Sequence, residues 1–243
     1  MKKALILFAG IGGFCQNIDW TGWDVTAVEI EPEIAQCYQD RFPNHKVIVG
    51  DAMEYLQNHW KEYIGKDNLI QASPPCQTYS KLRYQLGVLG NHSEKPNAQM
   101  DHVFIDPMLI QCIAFLATLP TDNSPIWIVE NVRPYFDWLI KFAPKFHFSL
   151  GRHYIWTNAC LPIFLPPVPQ TAAKRIMNKK TGKENIDFFS LDRCRDAYGV
   201  DLTKYPKIKN KRQVLRNMFE PELGQYIFDA IFYNKLANGG ENS

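Results

Sequence analysis

Cys76 stands in a segment whose residue types suit nucleophilic chemistry. It follows two prolines in SPPCQTYS, residues 73–80, and the proline rings restrict the backbone that carries the sulfur. A cysteine acts as a nucleophile where its thiolate is stabilised or where an activated electrophile lies beside it. A lone cysteine is more often a buried packing residue. The stiff loop favours the nucleophile, although residue type alone leaves both interpretations open.

A carboxylate ends another apolar run further along the chain. Glu130 lies in IVENV, residues 128–132. In such a position a carboxyl group can exchange protons with a substrate. It can equally be a structural acid that accepts hydrogen bonds from neighbouring backbone amides. Position alone does not separate the two roles.

A glycine-rich turn suggests a nucleotide-like ligand. FAGIGG, residues 8–13, follows an apolar run, and its glycines let the backbone approach a ligand at the start of a helix predicted over 15–20. Glu29 lies 19 residues beyond Gly10, where a carboxylate can accept hydrogen bonds from ribose hydroxyls, and Asp51 ends the next apolar run. Tight packing and helix capping are the alternatives. The spacing fits a nicotinamide cofactor and S-adenosylmethionine equally well.

The elements that would position these residues alternate along the chain. Apolar runs predict five strands, over 3–9, 24–31, 46–52, 68–75 and 125–132, with helices over 32–42, 106–119 and 221–237. We therefore predict an α/β fold with a doubly wound, mostly parallel Rossmann-like sheet. Such sheets bind ligands at the carboxyl ends of their strands, where all the residues named above fall.

Composition places the chain among soluble globular proteins. It has 243 residues, 46% of them hydrophobic, and six cysteines without a CxxC pair, which we interpret as reduced thiols in a cytoplasmic protein. The apolar run near the N-terminus is too short for a signal peptide or a membrane span. We expect no membrane association and no metal site.

Charge is distributed unevenly along the chain. Residues 1–150 carry 12 Lys and Arg against 16 Asp and Glu, while residues 151–243 carry 15 against 9. Most of the excess lies between 170 and 216, where 13 basic residues face 5 acidic ones. A partner that carries phosphates is one explanation, and a solvated basic surface is the other.

Taken together, the motifs resemble the DNA (cytosine-5) methyltransferase family. FAGIGG, VEIEP, GDAMEY, SPPCQTYS and IVENV occur in the order of that family, and RNMFEPELGQYIFDAI, residues 216–231, looks like its last motif. The resemblance covers residues 4–158 and 212–232. It implies the methyltransferase fold, S-adenosyl-L-methionine as cofactor and duplex DNA as partner.

The resemblance also implies roles for individual residues. Cys76 would add to carbon 6 of a flipped cytosine, Glu130 would protonate ring nitrogen 3, and Arg152 would contact the base oxygen. The cofactor would contact Phe8, Ala9, Gly10, Ile11, Gly12, Gly13, Glu29, Ile30, Asp51, Ala52, Pro74 and Asn217. The nucleic acid would contact Ser80, Lys81, Arg83, Lys174, Arg175, Lys179, Lys180, Lys211 and Arg212, with stacking by Phe188, Phe189, Tyr198 and Tyr205.

The chain departs from the family pattern in three places. The family's Gln-x-Arg-x-Arg segment is reduced to SLGRHYIWTN, residues 149–158, and Arg216 replaces the usual glycine before Asn217. The target-recognition region is also short. We predict a catalytic and cofactor-binding domain over 1–157, a small recognition lobe over 158–212 and a returning segment over 213–243.

Several alternatives share part of this pattern. A transfer RNA cytosine-5 methyltransferase would keep the chemistry, a non-catalytic nucleic-acid-binding homologue would keep only the fold, and a nicotinamide oxidoreductase would use only the glycine turn. For the leading hypothesis we expect a monomer in the cytoplasm of a bacterium, or of the host if phage-encoded. A companion endonuclease would fit a restriction-modification system.

Overall fold

The computed structural model describes residues 1–75, 107–132, 147–150, 153–159, 174–177, 184–187 and 198–233. Nine strands lie in these ranges: β1 (Lys2–Leu7), β2 (Trp23–Glu29), β3 (Lys46–Val49), β4 (Leu69–Ala72), β5 (Ile126–Val132), β6 (His147–Leu150), β7 (His153–Thr157), β8 (Lys174–Met177) and β9 (Glu184–Asp187). The α-helices in the same ranges are α1 (Pro32–Arg41), α2 (Ala52–His59), α3 (Pro107–Ala117), α4 (Lys211–Arg216) and α5 (Pro221–Phe232).

Seven strands form one sheet in the order β3-β2-β1-β4-β5-β7-β6. The first five pair in parallel, while β7 is antiparallel to both β5 and β6. Strand order reverses between β1 and β4, so a crevice is expected at the carboxyl ends of these strands. The predicted doubly wound, mostly parallel sheet is confirmed.

Alternation along β1 explains why both faces of the sheet are covered. Leu5 and Leu7 belong to one buried cluster, to which α2 and α3 contribute, whereas Ala4 and Ile6 belong to a second cluster that includes residues of α5. A strand buried on both faces reads as a continuous apolar run, which is why KALILFA predicted a strand correctly.

The helix predicted over 15–20 is wrong. Residues 10–17 form consecutive turns, with backbone N–H groups bonding three residues back, as from Gly12 to Ala9 and from Cys15 to Gly12. Gly10 and Gly12 have φ values of 55° and 81°, outside the right-handed helical range. The indole of Trp20 also donates to the Cys15 carbonyl, 3.1 Å away. No helix therefore begins at the glycine turn.

The segment over 198–208 packs on the main body of the protein. Tyr198, Val200, Leu202 and Ile208 share a buried cluster with residues such as Ile11. Further back, β8 and β9 form a two-stranded antiparallel sheet. The domain boundaries predicted from sequence stay a prediction. Within the described ranges, no helix is both long enough and apolar enough to cross a membrane.

Candidate active site

The glycine turn combines one open position with two tightly packed ones. A Cβ atom on Gly10 would have no neighbour within 4 Å, whereas one on Gly12 would collide with the Phe42 ring and one on Gly13 with the Phe219 carbonyl oxygen. Packing therefore explains Gly12 and Gly13. The open space at Gly10 leaves room for a ligand beside the backbone.

Other residues of the turn contribute backbone rather than exposed side chains. Phe8 has a φ of 53°, and the Ala9 N–H donates to the Val28 carbonyl at 3.0 Å. Ile11 is 1% exposed, and its carbonyl oxygen accepts a hydrogen bond from the Arg41 guanidinium. The side chain of Ile11 is thus part of the core.

Glu29 accepts backbone hydrogen bonds with both of its carboxylate oxygens, and one of the two donors lies in the glycine turn. Its Oε2 accepts from the Gly10 N–H at 2.8 Å, and its Oε1 accepts from the Glu31 N–H at 3.0 Å. Burial raises the pKa of Glu29, while these hydrogen bonds oppose that shift. Each oxygen has two lone pairs, so a ribose hydroxyl can still be accepted beside the backbone donor.

The ends of β2 and β3 present an acid and exposed apolar side chains. Asp51 caps α2 by accepting from the Glu54 N–H at 2.8 Å, so the capping alternative is correct for one of its oxygens. Ile30 is 60% exposed and Val49 is 54% exposed. Ala52 is buried in the first turn of α2. Exposed aliphatic side chains beside a carboxylate suit a flat heterocycle with an amino group.

The loop that leads to Cys76 is held by side chains on two strands. Asn131 on β5 donates from Nδ2 to the Pro74 carbonyl at 2.8 Å, and Gln71 on β4 donates from Nε2 to Ser73 Oγ at 2.7 Å. Both side chains are buried. The sequence analysis assigned no role to either residue, although their buried polar character inside apolar runs was a usable signal. Cys76 itself lies outside the described residues.

Glu130 is 7% exposed at the carboxyl end of β5. Its Oε1 lies 2.6 Å from Nδ1 of His153 on β7, and Nε2 of His153 lies 3.6 Å from Oε1 of Glu220. Glu130 therefore contacts an imidazole, a partner that sequence analysis did not identify. Arg152, the residue before His153, lies outside the described residues.

The segment around Asn217 joins these features. Asn217 is exposed at the end of α4, next to Met218 and Phe219, which pack on Gly13. The Phe219 ring stacks on the His153 ring with 5.9 Å between centroids. Residues 217–220 thus contact the glycine turn on one side, and on the other side they contact His153, the partner of Glu130.

Three other cysteines are unsuited to nucleophilic chemistry. Cys15, Cys37 and Cys112 are free and buried, which confirms the predicted reduced thiols within the described ranges. Burial raises the pKa of both Cys15 and Cys112 to about 12, and it also raises the pKa of Cys37. These thiols remain protonated at neutral pH.

The predicted nucleic-acid contacts are described only in part. Arg212 is exposed, and Lys211 donates from Nζ to the Ile208 carbonyl at 3.2 Å. Lys174 and Arg175 lie on β8, while Ser80, Lys81, Arg83, Lys179, Lys180, Phe188 and Phe189 lie outside the described residues. Tyr198 is buried, and Tyr205 donates to Asp40 Oδ2 at 2.7 Å. The buried ring of Tyr198 is not available for base stacking, whereas stacking by the half-buried Tyr205 stays a prediction.

A cleft of about 440 Å³ opens between α1 and residues 198–205, with Gln16, Arg41 and Lys204 in its lining. None of the residues predicted to bind the cofactor or to react lines this cleft, although predicted stacking residues Tyr198 and Tyr205 do. Within the described residues, no group of three or more His, Cys, Asp and Glu side chains could hold a metal ion.

Part of the chain that contains these features is similar to a known protein family. Residues 3–96 match the family model of the C-5 cytosine-specific DNA methylases. Over these residues the chain is similar to the C-5 cytosine-specific DNA methylases. The matched segment contains the glycine turn, Glu29, Asp51 and Cys76.

Individual relatives are similar over limited stretches. The Type II methyltransferase M1.HphI of Haemophilus parahaemolyticus is 34% identical over 77 residues, which are 30% of this chain. The chain spans only 21% of that relative.

Two solved structures are also similar to the chain. A variant of DNMT2 from Spodoptera frugiperda has 20% identity and a TM-score of 0.43, covering 67% of this chain and 52% of its own. Fibrillarin from Aeropyrum pernix, with natively bound S-adenosyl-L-methionine, has 10% identity and a TM-score of 0.38, covering 64% and 65%. The fold assignment rests on the strand order rather than on these scores.

Proposed function

We propose that this protein transfers a methyl group from S-adenosyl-L-methionine to carbon 5 of cytosine in DNA. The observation that carries the proposal is the methylase match over residues 3–96, which includes Cys76, together with the buried Glu130 on the strand beside the cysteine loop. Asn131, which follows Glu130, holds the carbonyl of Pro74, two residues before Cys76. This hydrogen bond supports a location of the Cys76 thiol and the Glu130 carboxyl near the same edge of the sheet.

The cofactor would bind at the ends of β1, β2 and β3. The open space at Gly10 fits a ligand, the Glu29 oxygens keep lone pairs for ribose hydroxyls, and exposed Ile30 offers an apolar surface to adenine. Asp51 would accept from the adenine amino group with the oxygen that does not cap α2. The other predicted cofactor contacts, from Phe8 to Gly13 and at Ala52, Pro74 and Asn217, lie around the same edge. The bound cofactor supplies an electrophilic methyl group.

Cys76 would activate the cytosine ring. Its thiolate adds to carbon 6, the electron pair of the 5,6 double bond moves toward nitrogen 3, and that nitrogen takes a proton from Glu130. Carbon 5 then attacks the methyl group. Water or hydroxide then takes the carbon-5 proton, the electron pair of that bond re-forms the 5,6 double bond as the Cys76 thiolate leaves, and nitrogen 3 returns its proton to Glu130.

Access and orientation would be provided by residues outside the catalytic pair. Carbon 6 is covered inside a duplex, so the cytosine has to be flipped out of the helix. Arg152 would contact the base oxygen. Ser80, Lys81, Arg83 and the basic residues between 174 and 212 would hold phosphates. We expect a monomer, and a companion endonuclease would fit the Type II name of the relative from Haemophilus.

Transfer of labelled methyl groups from S-adenosyl-L-methionine to mixed-sequence duplex DNA tests the proposal. We expect label in the wild-type reaction, loss of at least about a hundredfold in Glu130→Gln, and none above background in Cys76→Ala. Bisulfite sequencing of the product identifies the methylated sites. The matched control is Cys37→Ala, which removes a buried thiol and should retain activity. Label on transfer RNA instead of DNA would contradict the assigned substrate.

A further inference from the structure

His153 lies between two carboxyl groups that come from different elements. Glu130 on β5 approaches Nδ1 at 2.6 Å, and Glu220, the N-cap residue of α5, approaches Nε2 at 3.6 Å. In the described part of the chain, these are the charged groups that face the imidazole. We name Glu130, His153 and Glu220 the proton array. The mechanism above uses only its first member.

Packing fixes the geometry of the array. His153 is 4% exposed, and the Phe219 ring stacks on one face of its imidazole with an interplanar angle of 24°. Because β7 pairs with both β5 and β6, the His153 backbone is held on two sides. The ring itself is held by its contacts with Phe219 and Glu130, so turning it away would break both contacts.

Electrostatics favours a proton within the array. Two carboxylates beside one imidazole stabilise its charged form, and burial strengthens this attraction because water screens it less. The separation of 2.6 Å between nitrogen and oxygen is slightly shorter than the roughly 2.7–2.9 Å of charge-assisted N–H···O bonds, so the two groups are in direct hydrogen-bond contact. A proton can move along such a bond between Nδ1 and the Glu130 carboxyl.

We propose that His153 is a positioning residue that holds the proton used by Glu130, and that Glu220 keeps His153 charged. This inference rests on the proposed methyl transfer. As the thiolate adds to carbon 6, the proton moves from Nδ1 to the Glu130 carboxylate and on to nitrogen 3, which leaves a neutral imidazole and an ionised Glu130. When the product forms, nitrogen 3 returns the proton and the array regains its starting charge.

The array predicts a distinctive dependence of kcat on pH. A free carboxyl group loses its proton near pH 4.3 and a free imidazole near pH 6.5. With His153 in place, two carboxyl groups beside the imidazole favour its charged form, so the array should retain a proton at higher pH than a free imidazole does. Without the imidazole that proton is absent, and the alkaline limb of kcat should move to lower pH.

His153→Asn and Glu220→Gln separate this role from a structural one. Asparagine can still donate a hydrogen bond near the position of Nδ1, but it does not titrate. We expect the alkaline limb of kcat to move to lower pH in His153→Asn, and to move less far in Glu220→Gln. A merely structural defect would lower kcat by the same factor at every pH. Profiles parallel to the wild type would overturn the proposal.

Nitrogen NMR of the histidine rings gives a second test that does not need activity. The His153 signals are identified by their absence in His153→Asn. We expect His153 in the full chain to hold both ring protons to higher pH than a free imidazole, which titrates near pH 6.5, and Glu220→Gln to lower that limit. Titration of His153 at or below about pH 6.5, the value of a free imidazole, would overturn the proposal even in an active enzyme. A wild-type chain that methylates no nucleic acid would instead contradict the proposed function.

Discussion

Glu29 has a structural task in addition to its predicted task in cofactor binding. Its two oxygens hold the N–H groups of Gly10 and Glu31, so the carboxylate fixes the shape of the turn before any ligand arrives. A buried carboxylate that holds two backbone donors is costly to alter, because each donor would lose a charged acceptor. Glu29 therefore affects both the stability of the glycine turn and the affinity for the cofactor.

Replacing Glu29 with glutamine should affect both properties. The amide nitrogen cannot accept a hydrogen bond, so one of the two backbone N–H groups loses its partner. We expect the free energy of unfolding to fall by about 1–3 kcal/mol and the Kd for S-adenosyl-L-methionine to rise at least about tenfold. Glu31→Gln is the matched control, since Glu31 is exposed and only two residues away. Calorimetry that finds equal affinities for both variants would contradict the role of Glu29.

His45 offers a prediction about stability and pH. It is 8% exposed, Phe42 stacks on its ring, and burial lowers the pKa of His45 to about 4. Unfolded chains protonate histidine near pH 6.5, so protons favour the unfolded state as pH falls from about 6.5 towards 4. The free energy of unfolding should drop by about 3 kcal/mol over that window from this group.

Urea unfolding at pH 7 and at pH 4 measures this contribution. His45→Phe removes the titrating ring and keeps a flat side chain, so its stability should depend less on pH than that of the wild type. Acidic groups titrate in both proteins and cancel in the comparison. An identical loss of stability in the two proteins would show that His45 is not responsible.

At the scale of elements, the glycine turn and residues 217–220 form one unit. Gly13 lies against the Phe219 carbonyl, Phe219 stacks on His153, and His153 reaches Glu130. The C-terminal segment thus connects the turn that would hold the cofactor to the carboxyl that would activate the base. A substitution in the glycine turn should therefore alter the position of Glu130 through these contacts, and the reverse should also hold.

Alanine substitutions in the turn should separate packing from ligand access. Gly13→Ala places a methyl group on the Phe219 carbonyl, so we expect a loss of at least about 2 kcal/mol in unfolding free energy. Gly10→Ala meets no atom within 4 Å, and its positive φ costs about 1–2 kcal/mol. In Gly10→Ala, the free energy of cofactor binding should fall by more than the free energy of unfolding does. Thermal unfolding and calorimetry on both variants measure the two losses. A Gly10→Ala variant that loses more stability than cofactor affinity would contradict this expectation.

Most of the sheet was predictable because buried parallel strands are continuous apolar runs. The carboxyl ends of those runs also located Glu29, Asp51 and Glu130 correctly. The helix over 15–20 was predicted because a glycine turn often opens a helix, but the N–H groups of Cys15, Gln16 and Ile18 bond three residues back and form turns instead. His153 was missed since its partners Glu130 and Glu220 are 23 and 67 residues away, and only pairing of β5 with β7 and packing of α5 bring them together.

At the scale of the whole molecule, the two halves of the chain differ in net charge. The basic excess lies after residue 170, and the described part of it includes exposed Lys207, Lys209 and Arg212. A basic side chain that binds a DNA phosphate releases a counterion, so removing one such side chain should reduce the salt dependence of DNA binding by about 0.9 in logarithmic slope. The solvated-surface alternative predicts no change.

A double variant at Lys209 and Arg212 tests the electrostatic contribution. Lys209→Ala with Arg212→Ala should weaken DNA binding at low salt and flatten its salt dependence by up to about 1.8. The matched control is Lys61→Ala with Lys66→Ala, which removes the same charge from exposed residues before β4, at the opposite end of that strand from the cysteine loop. Fluorescence anisotropy across a salt series gives both slopes. Equal slopes for the two double variants would contradict a DNA contact at Lys209 and Arg212.

Covalent trapping on duplex DNA that contains 5-fluorocytosine tests methyl transfer through Cys76 most directly. Fluorine at carbon 5 cannot leave as a proton does, so an enzyme that has added its thiolate and transferred the methyl group stays attached to the DNA. With S-adenosyl-L-methionine present, we expect the wild type to form a complex that survives denaturing electrophoresis, Glu130→Gln to form it more slowly, and Cys76→Ala to form none. A folded wild-type chain that binds the cofactor and this DNA but forms no complex would contradict the proposed mechanism.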